Sequence, residues 1–341
     1  MGSDVVVARV DPRLVARVVR RTPLEWASPA APEDDRPPFV RAASAVVFIG
    51  GELVVAQDDA SFLAVGRPGE KLRAIALPRG AGGRRRFEER LGNKRDKLDL
   101  EAGVAIDGRV YFFGSGSLPV REHVVVFDPR ASAAPVRVVD ASPLYAKLHA
   151  AHDFAGGELN LEGVTRVESP APPRAAAPPA DQVRFFQRGN GAAPGLMPAT
   201  ADVDAARLVA FLEGRAPPPE LAGVRRFDLG SEDGARYGFT DATTAGDAVV
   251  FLASAERSPN AIDDGEVTGS RVGVLSPEGA RLAPLLDTDG ALARIKAEGI
   301  AIDPSRRDRA WIVIDADDPD RPSELCEVAL DGPWSTPVES R

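Results

Sequence analysis

Two sets of polar residues recur at matching places along this chain, and both are of types that bind cations or move protons. The first set is Ser44, Glu101, Glu162, Asp241 and Glu298; the second is Asp59, Ser117, Asn190, Glu256 and Asp318. The separation is 15 residues from Ser44 to Asp59 and from Asp241 to Glu256, and 16 from Glu101 to Ser117. In a hairpin the start of one strand and the end of the next lie side by side, so both sets are expected on one face around one opening. Four carboxylates of the first set would converge there. Unpaired, they repel one another and raise one another's pKa values, so such a ring requires a cation, a neighbouring Arg or Lys, or protonation. Hard oxygen donors with Asn support favour Ca2+ or Mg2+ over zinc, which prefers His and Cys. The expected ligands are Glu162, Asn190, Asp241 and Glu298, with Asp59, Glu101, Ser117, Asn160, Arg188, Glu256 and Asp318 lining the same opening. A second reading stands beside this one. The carboxylates accept hydrogen bonds from free backbone N–H groups or pair with Arg188, Lys97 and Arg257, and hold no ion.

The other reactive types are few. His149, His152 and Asp153 lie shortly before Asn160 and Glu162, so they would hang over the opening. His-x-x-His with an acid makes a metal site or a general base, and His152 and Asp153 are the candidate catalytic pair; surface-loop histidines are the plain alternative. His123 begins an apolar run and reads as structural. Ser115 and Ser117 stand in Gly-Ser-Gly-Ser without the Gly-x-Ser-x-Gly elbow of a nucleophilic serine. Cys326, the single cysteine, sits in the apolar run 324–330 and reads as core. Alone, it excludes an internal disulfide and suits a reducing compartment.

A repeat must position these residues. Residues 45–59, 101–117, 159–190, 240–256 and 298–318 share one form: a short strand, a Gly- or Asp-containing turn, and a very apolar strand that stops at a polar residue. Two more strand-like runs follow, at 123–128 and 136–139 in the second unit, 207–212 and 224–228 in the third, and 271–275 and 281–285 in the fourth. Four short strands per unit, at intervals of roughly 60 residues, are the signature of propeller blades. A β-sandwich also alternates, but it has no reason to repeat a Glu-Gly or Glu-Ala step at the start of each unit. In a propeller those small residues let the innermost strands crowd an axis while the polar ends point into a channel.

The predicted fold is therefore all-β, a single five-bladed propeller over residues 1–341. The fifth unit has a third strand at 324–330 but only a weak fourth around 334–338, and the N-terminal run 16–26 resembles the fourth strands elsewhere. That run is expected to complete the last blade, closing the ring and hiding both edges. Six blades follow instead if residues 4–30 and the C-terminal tail build a blade of their own. The Pro/Ala-rich stretch 168–181 is an extended loop inserted in the turn of the third unit.

Composition sets the outer limits. Apolar residues make up 44% of the 341, enough for a substantial core, and the net charge is −9. Nucleic-acid binders need clustered Lys and Arg to neutralise phosphates, so no nucleic-acid partner is expected; Arg84, Arg85 and Arg86 are followed by Glu88 and Glu89 and read as a solvated loop. No stretch approaches the roughly 18 apolar residues of a membrane span, and the start has no long apolar segment or cleavage signature. A cytoplasmic protein with no membrane partner is the expectation.

The steps Asp99-Leu-Glu-Ala, Asn160-Leu-Glu-Gly and Ala297-Glu-Gly-Ile-Ala, with the Gly-Ser-Gly-Ser and Gln-Arg-Gly-Asn strand ends, resemble an uncharacterised family of bacterial β-propellers related to the esterase-like phytase domain. The likeness runs from about Ser44 to Leu330. More distantly, the chain is similar to the gluconolactonase, senescence-marker and strictosidine-synthase-like propellers. The lactonase resemblance implies one divalent cation held in the channel by a Glu, Asn residues and an Asp, types that Glu162, Asn190 and Asp241 supply here. Ser44 departs from the pattern, where an acid would be expected. Two functions follow. One is binding of a small molecule or a protein on this face, with any metal serving stability. The other is metal-dependent hydrolysis of an ester, lactone or phosphoester, in which the cation polarises the substrate oxygen and acidifies a bound water and His152 or Asp153 is the base.

Overall fold

Short runs rich in β-branched and aromatic residues, punctuated by Gly and Asp turns, form strands throughout this chain. The structure is a computed structural model that describes residues 5–169, 180–189, 195–257, 265–277 and 279–334. Most of the Pro/Ala-rich insertion, Asn190 and the tail beyond Trp334 lie outside those residues. The molecule is mostly β, with its strands in four hydrogen-bonded sheets.

Each of the five sequence repeats opens with an antiparallel hairpin. The hairpins are Ala43–Ile49 with Glu52–Gln57, Leu100–Ile106 with Arg109–Gly114, Leu161–Ser169 with Ala180–Gln187, Ala235–Ala245 with Ala248–Glu256, and Lys296–Asp303 with Arg306–Asp315. Third strands follow at Phe62–Gly66, His123–Phe127, Ala199–Asp204, Val267–Ser276 and Glu324–Asp331. Fourth strands follow at Arg73–Ala76, Val136–Asp140, Ala222–Asp228 and Gly279–Leu286. In the fifth repeat the place beside Glu324–Asp331 is taken by the N-terminal strand Val15–Pro23, antiparallel, with Leu325 opposite Thr22 and Leu330 opposite Ala16.

The segment before it runs along outer edges. Val5–Val7 pairs in parallel with Ala222–Asp228 of the third repeat, and Arg9–Val10 with Gly279–Leu286 of the fourth. Trp26 then bridges to Leu72 of the first. One N-terminal stretch thus touches four repeats.

One expectation about the third repeat is corrected. Residues 207–212 form no strand; Ala205–Leu212 is a helix, and the strand is Ala199–Asp204 just before it. The Asp204 carboxylate caps that helix by accepting from the Arg207 backbone N–H at 2.8 Å, and Leu208 and Leu212, one turn apart, are both buried. Ahead of the third repeat, Ser142–Ala150 and His152–Ala155 form helices, which bury Leu144, Tyr145, Leu148 and Phe154.

Five apolar clusters hold the chain together, and each lies between consecutive repeats. Phe112 and Val125 pack against Val47 and Leu63; Phe113 meets Phe185 edge to face; Phe186 meets Phe239 in the same manner. Val250 and Leu252 join Ile300 and Ile312. Trp311 and Val313 of the fifth repeat join Val46 and Val55 of the first. The opening strands pack in the same cyclic order, with Lys296–Asp303 returning to Ala43–Ile49. Small residues permit that approach: a Cβ on Gly163 would stand 3.1 Å from the Asp241 Cα, and one on Gly299 2.8 Å from the Val46 backbone nitrogen. Among the described residues no helix is long and apolar enough to cross a membrane.

Candidate functional site

The polar cluster is built on five equivalent irregularities. In every opening strand the pairing register slips by one residue, and the bulged residues are Ser44, Glu101, Glu162, Thr240 and Glu298. A bulge leaves one residue unpaired and re-aims its side chain. Four of the five positions expected from the sequence are these bulges. The fourth repeat differs: its bulge is Thr240, and Asp241 stands one residue further on, level with Gly163 and Gly299.

The facing ring also shifts. Two residues before each bulge the opening strand meets its hairpin partner, through Asp58 N to Ala42 O at 2.9 Å, Ser115 N to Asp99 O at 2.9 Å and Arg188 N to Asn160 O at 3.0 Å, and through Gly238 opposite Ser254 and Lys296 opposite Asp315. The structural second ring is therefore Asp58, Ser115, Arg188, Ser254 and Asp315. Asp59, Ser117, Glu256 and Asp318 lie one to three residues beyond it, and Asn190 lies outside the described residues.

Buried cations run through the carboxylates. Arg188 donates to Glu162 at 3.1 Å and to Glu256, tying the third repeat to the fourth, while the Asn160 amide donates to the same Glu162 oxygen at 2.6 Å. Lys97 Nζ lies 2.5 Å from Asp58 and 2.7 Å from Asp99, tying the first to the second. Lys296 Nζ lies 2.9 Å from Asp317, 3.5 Å from Glu298 and 3.9 Å from Asp315. Arg121 donates at 2.8 Å to Asp99 and at 2.8 Å to Ser117, and Arg41 bonds both Asp59 and Glu88. Hydroxyls complete two junctions: Ser44 donates to the Leu100 carbonyl and Thr240 to the Ala297 carbonyl at 2.7 Å, each just ahead of the next repeat's Glu.

Cation pairing does not satisfy everything. Asp241 accepts from the Ile300 N–H at 2.8 Å through one oxygen, but its Oδ1 is enclosed and, among the described residues, without a hydrogen-bond partner. Glu298 Oε2 is in the same condition. Both side chains are buried, at 2% and 4% exposure. Burial, then the charges of Glu162 and Glu298, hold the Asp241 carboxyl well above its ordinary range. Burial, only partly offset by Lys296 and Arg188, pushes Glu298 up to about 8. Glu101 is likewise raised, by burial and by Asp99 and Asp58, whereas Lys97 and Arg121 overcome burial to hold Asp99 low. Chemically, this is a set of hard oxygen donors whose burial favours the protonated form, and a proton so held is exchangeable for a cation.

The three described ligands expected from the sequence, Glu162, Asp241 and Glu298, lie in one electrostatic neighbourhood. Among the described residues, however, the three acids whose oxygens all come within 4.8 Å of one another are Asp58, Asp99 and Glu101. His152 and Asp153 are exposed on a short helix packed against the outer strands Ala199–Asp204 and Ala222–Asp228. Among the described residues no hydrogen bond or ion pair joins them to the cluster. His149 Nε2 lies 3.4 Å from Glu122, and Arg257 pairs with Glu266 at 2.8 Å. Cys326 is core, its thiol pushed up to about 12 by burial.

Sequence reasoning missed Lys296, Arg121, Asp58, Asp99 and Asp315 as members of the cluster. For Lys296, Asp99, Asp58 and Asp315 the available signal was a fixed offset, two residues before the bulge or opposite that position; Arg121, on the turn Pro119–Arg121, carries no such signal.

Residues 39–330 match a family described as a family of unknown function (DUF6929), and the chain belongs to it. No curated protein matches it. Among solved structures, glutaminyl cyclase of Myxococcus xanthus is similar at 12% identity over 96% of this chain and 99% of that one, with a TM-score of 0.46. Virginiamycin B lyase of Staphylococcus aureus is similar at 9% identity over 93% and 99%, with a TM-score of 0.39.

Proposed function

We propose that this member of the DUF6929 family is a five-bladed β-propeller, closed by the strand Val15–Pro23, that binds a small molecule or a protein at an acidic channel mouth with a divalent cation on the axis. Five apolar clusters arranged between consecutive repeats, the last joining fifth to first, support the architecture. One observation carries the cation: two carboxylate oxygens, Asp241 Oδ1 and Glu298 Oε2, are enclosed without partners. A buried polar atom in that condition costs about 1–3 kcal/mol. Ca2+ or Mg2+ answers both, since hard cations take oxygen ligands; Glu162 and Asn190 complete the proposed set. A cytoplasmic location fits the lone, buried Cys326.

The alternative, a hydrolase of an ester, lactone or phosphoester, needs a base beside the ion. His152 and Asp153 stand on an outer helix instead, so binding is the better-supported reading. The test is thermal unfolding with chelator and then with Ca2+, Mg2+, Mn2+ or Zn2+ restored, on the parent protein and on Glu298→Gln. A rise with Ca2+ or Mg2+ that Glu298→Gln loses supports the axial cation; no shift with any ion removes it.

A further inference from the structure

The third repeat carries an unbalanced positive charge on the face that packs against the fourth. Arg184 stands opposite Asp202, Phe186 opposite Thr200, and Thr200 opposite Arg225, so these side chains share one face of neighbouring strands. Phe186 and Phe227 on that face belong to the apolar cluster shared with the fourth repeat. Arg184 grips Asp202 in a fork, Nε to Oδ1 at 2.6 Å and Nη2 to Oδ2 at 2.7 Å, and their charges cancel. The charge of Arg225 remains.

The buried arginines of this chain, Arg41, Arg121, Arg188 and Arg281, each hold a carboxylate. Arg225 does not. It is half-buried, with its guanidinium over the Phe227 ring at 5.6 Å from the centroid, and among the described residues it makes no hydrogen bond or ion pair. Burial, and after it the like charge of Arg184, lower its pKa from the ordinary value. A second, independent observation lies directly opposite. Thr200 is 1% exposed, and its Oγ1, the single polar atom of its side chain, is enclosed and without a partner among the described residues. Opposed residues of an antiparallel pair place their Cβ atoms about 5 Å apart, so this hydroxyl adjoins the root of the Arg225 side chain. A hydroxyl and a guanidinium both donate, and one oxyanion accepting from the two relieves both conditions. A planar carboxylate uses both oxygens on the guanidinium fork, whereas a tetrahedral oxyanion has further oxygens for the hydroxyl.

We propose that the third repeat binds phosphate, free or as the monoester of a small molecule, between Arg225 and Thr200. This site is on the outer strands Ala199–Asp204 and Ala222–Asp228 and does not depend on the cation proposed for the mouth. The experiment is isothermal titration calorimetry at low ionic strength, in EDTA throughout, with inorganic phosphate, with glycerol 3-phosphate, and with sodium chloride at matched ionic strength as the control. Saturable binding of inorganic phosphate and no such heat from chloride are expected. Arg225→Met keeps the apolar stem over Phe227 and should weaken phosphate by about tenfold or more, the loss of a charged donor. Thr200→Val keeps the shape and should weaken phosphate by about threefold or more, yet unfold without phosphate at a temperature no lower than the parent protein, because it removes an enclosed hydroxyl that has no partner. Glycerol 3-phosphate binding as well as inorganic phosphate assigns the site to esters, and its failure to bind assigns the site to the free ion; either supports the proposal. No saturable phosphate binding, the same heat from chloride, or unchanged affinity in either variant overturns it. A lower unfolding temperature of Thr200→Val also overturns it, by showing that the hydroxyl already has a partner. With EDTA present in every titration, this result and that of the metal test remain separate.

Discussion

The Asp241 carboxylate, in the fourth repeat, accepts a hydrogen bond from the Ile300 backbone N–H, in the fifth, at 2.8 Å, while its second oxygen has no hydrogen-bond partner among the described residues. The first bond joins repeats; the second oxygen is the cost of placing an acid there. Asp241→Ala would strand the Ile300 N–H and is expected to lose about 1–3 kcal/mol. Asp241→Asn keeps an acceptor for Ile300 and turns its amide N–H2 toward Glu162 and Glu298, so its loss should stay below about 1 kcal/mol. Urea denaturation of the two variants decides this. Equal losses would show that the bond does not tie the repeats.

Stability should fall as pH rises from weakly acid to weakly alkaline. Glu298 is raised from an ordinary 4.5 to about 8, and Asp59 from 3.8 to about 6, burial being the first cause in both. The folded chain therefore holds these protons more tightly than the unfolded chain. That stabilisation is fully present below the ordinary values and is lost as pH rises through the folded ones, with a slope of at most about 1.4 kcal/mol per pH unit for each proton. Asp99, held low by Lys97 and Arg121, acts oppositely, and its contribution is lost as pH falls. Glu298→Gln should flatten the profile between about pH 6 and 8, where Asp59 has already titrated. Parallel profiles of parent and variant, from denaturation at a series of pH values, would exclude this assignment.

Gly299 sits where two opening strands touch. An added Cβ would lie 2.8 Å from the Val46 nitrogen and 2.9 Å from the Ala45 Cα, both backbone atoms that cannot rotate away. Gly299→Ala is therefore expected to cost roughly 1–3 kcal/mol by overpacking, even though alanine favours ordered backbone over glycine. A chemical-denaturation midpoint equal to that of the parent would mean that the first and fifth repeats are not in contact here.

The strand Val15–Pro23 covers the edge of Glu324–Asp331, burying Ala16 and Val18 completely or nearly so. Deleting residues 1–23 should expose that edge and produce oligomers on size-exclusion chromatography, since an uncovered strand recruits another chain. A monomeric, cooperatively folding deletion variant would show that the N-terminal strand is dispensable.

The repeat could be read from the sequence because each hairpin ends on a polar residue after an apolar run, and both features have a period that survives without side-chain contacts. What the sequence hid was the bulge. In the fourth repeat the bulge falls on Thr240 and the acid stands beside it, so matching by residue type sets Asp241 level with Glu162 although Thr240 holds that place. Matching by polar type at the strand ends likewise puts Asp59 and Ser117 in a ring that belongs to Asp58 and Ser115. The helix Ala205–Leu212 was hidden differently: its composition suits a strand, and only the Asp204 cap and the four-residue spacing of Leu208 and Leu212 mark it as helical. Counter-charges were the least legible part. Lys97 and Lys296 precede the repeated acids by short offsets, but that Lys97 also meets Asp58 depends on a neighbour from another repeat, and that Lys296 meets Asp317 depends on how its own hairpin ends.

Lys97 offers the sharpest test of whether the acids were arranged around a cation. Its ammonium is buried, and although burial opposes the charge, Asp58, Asp99 and Glu101 hold it charged well above the ordinary range. Lys97→Met keeps the length of the side chain and removes only the charge, leaving three carboxylates whose oxygens lie within 4.8 Å of one another. Losing one partner of a buried ion pair costs about 3–5 kcal/mol, so the variant should unfold at lower temperature in chelator. The three oxygens then form a hard-ligand site of the kind Ca2+ occupies. Millimolar Ca2+ should accordingly raise the melting temperature of Lys97→Met by several degrees more than that of the parent protein, whose Lys97 fills the position, because an ion that binds only the folded chain stabilises it by mass action. An equal response of parent and variant would place any Ca2+ effect elsewhere, and the three carboxylates would then tolerate the loss of Lys97 by taking up protons, visible as a melting temperature of the variant that rises as pH falls from 8 to 6.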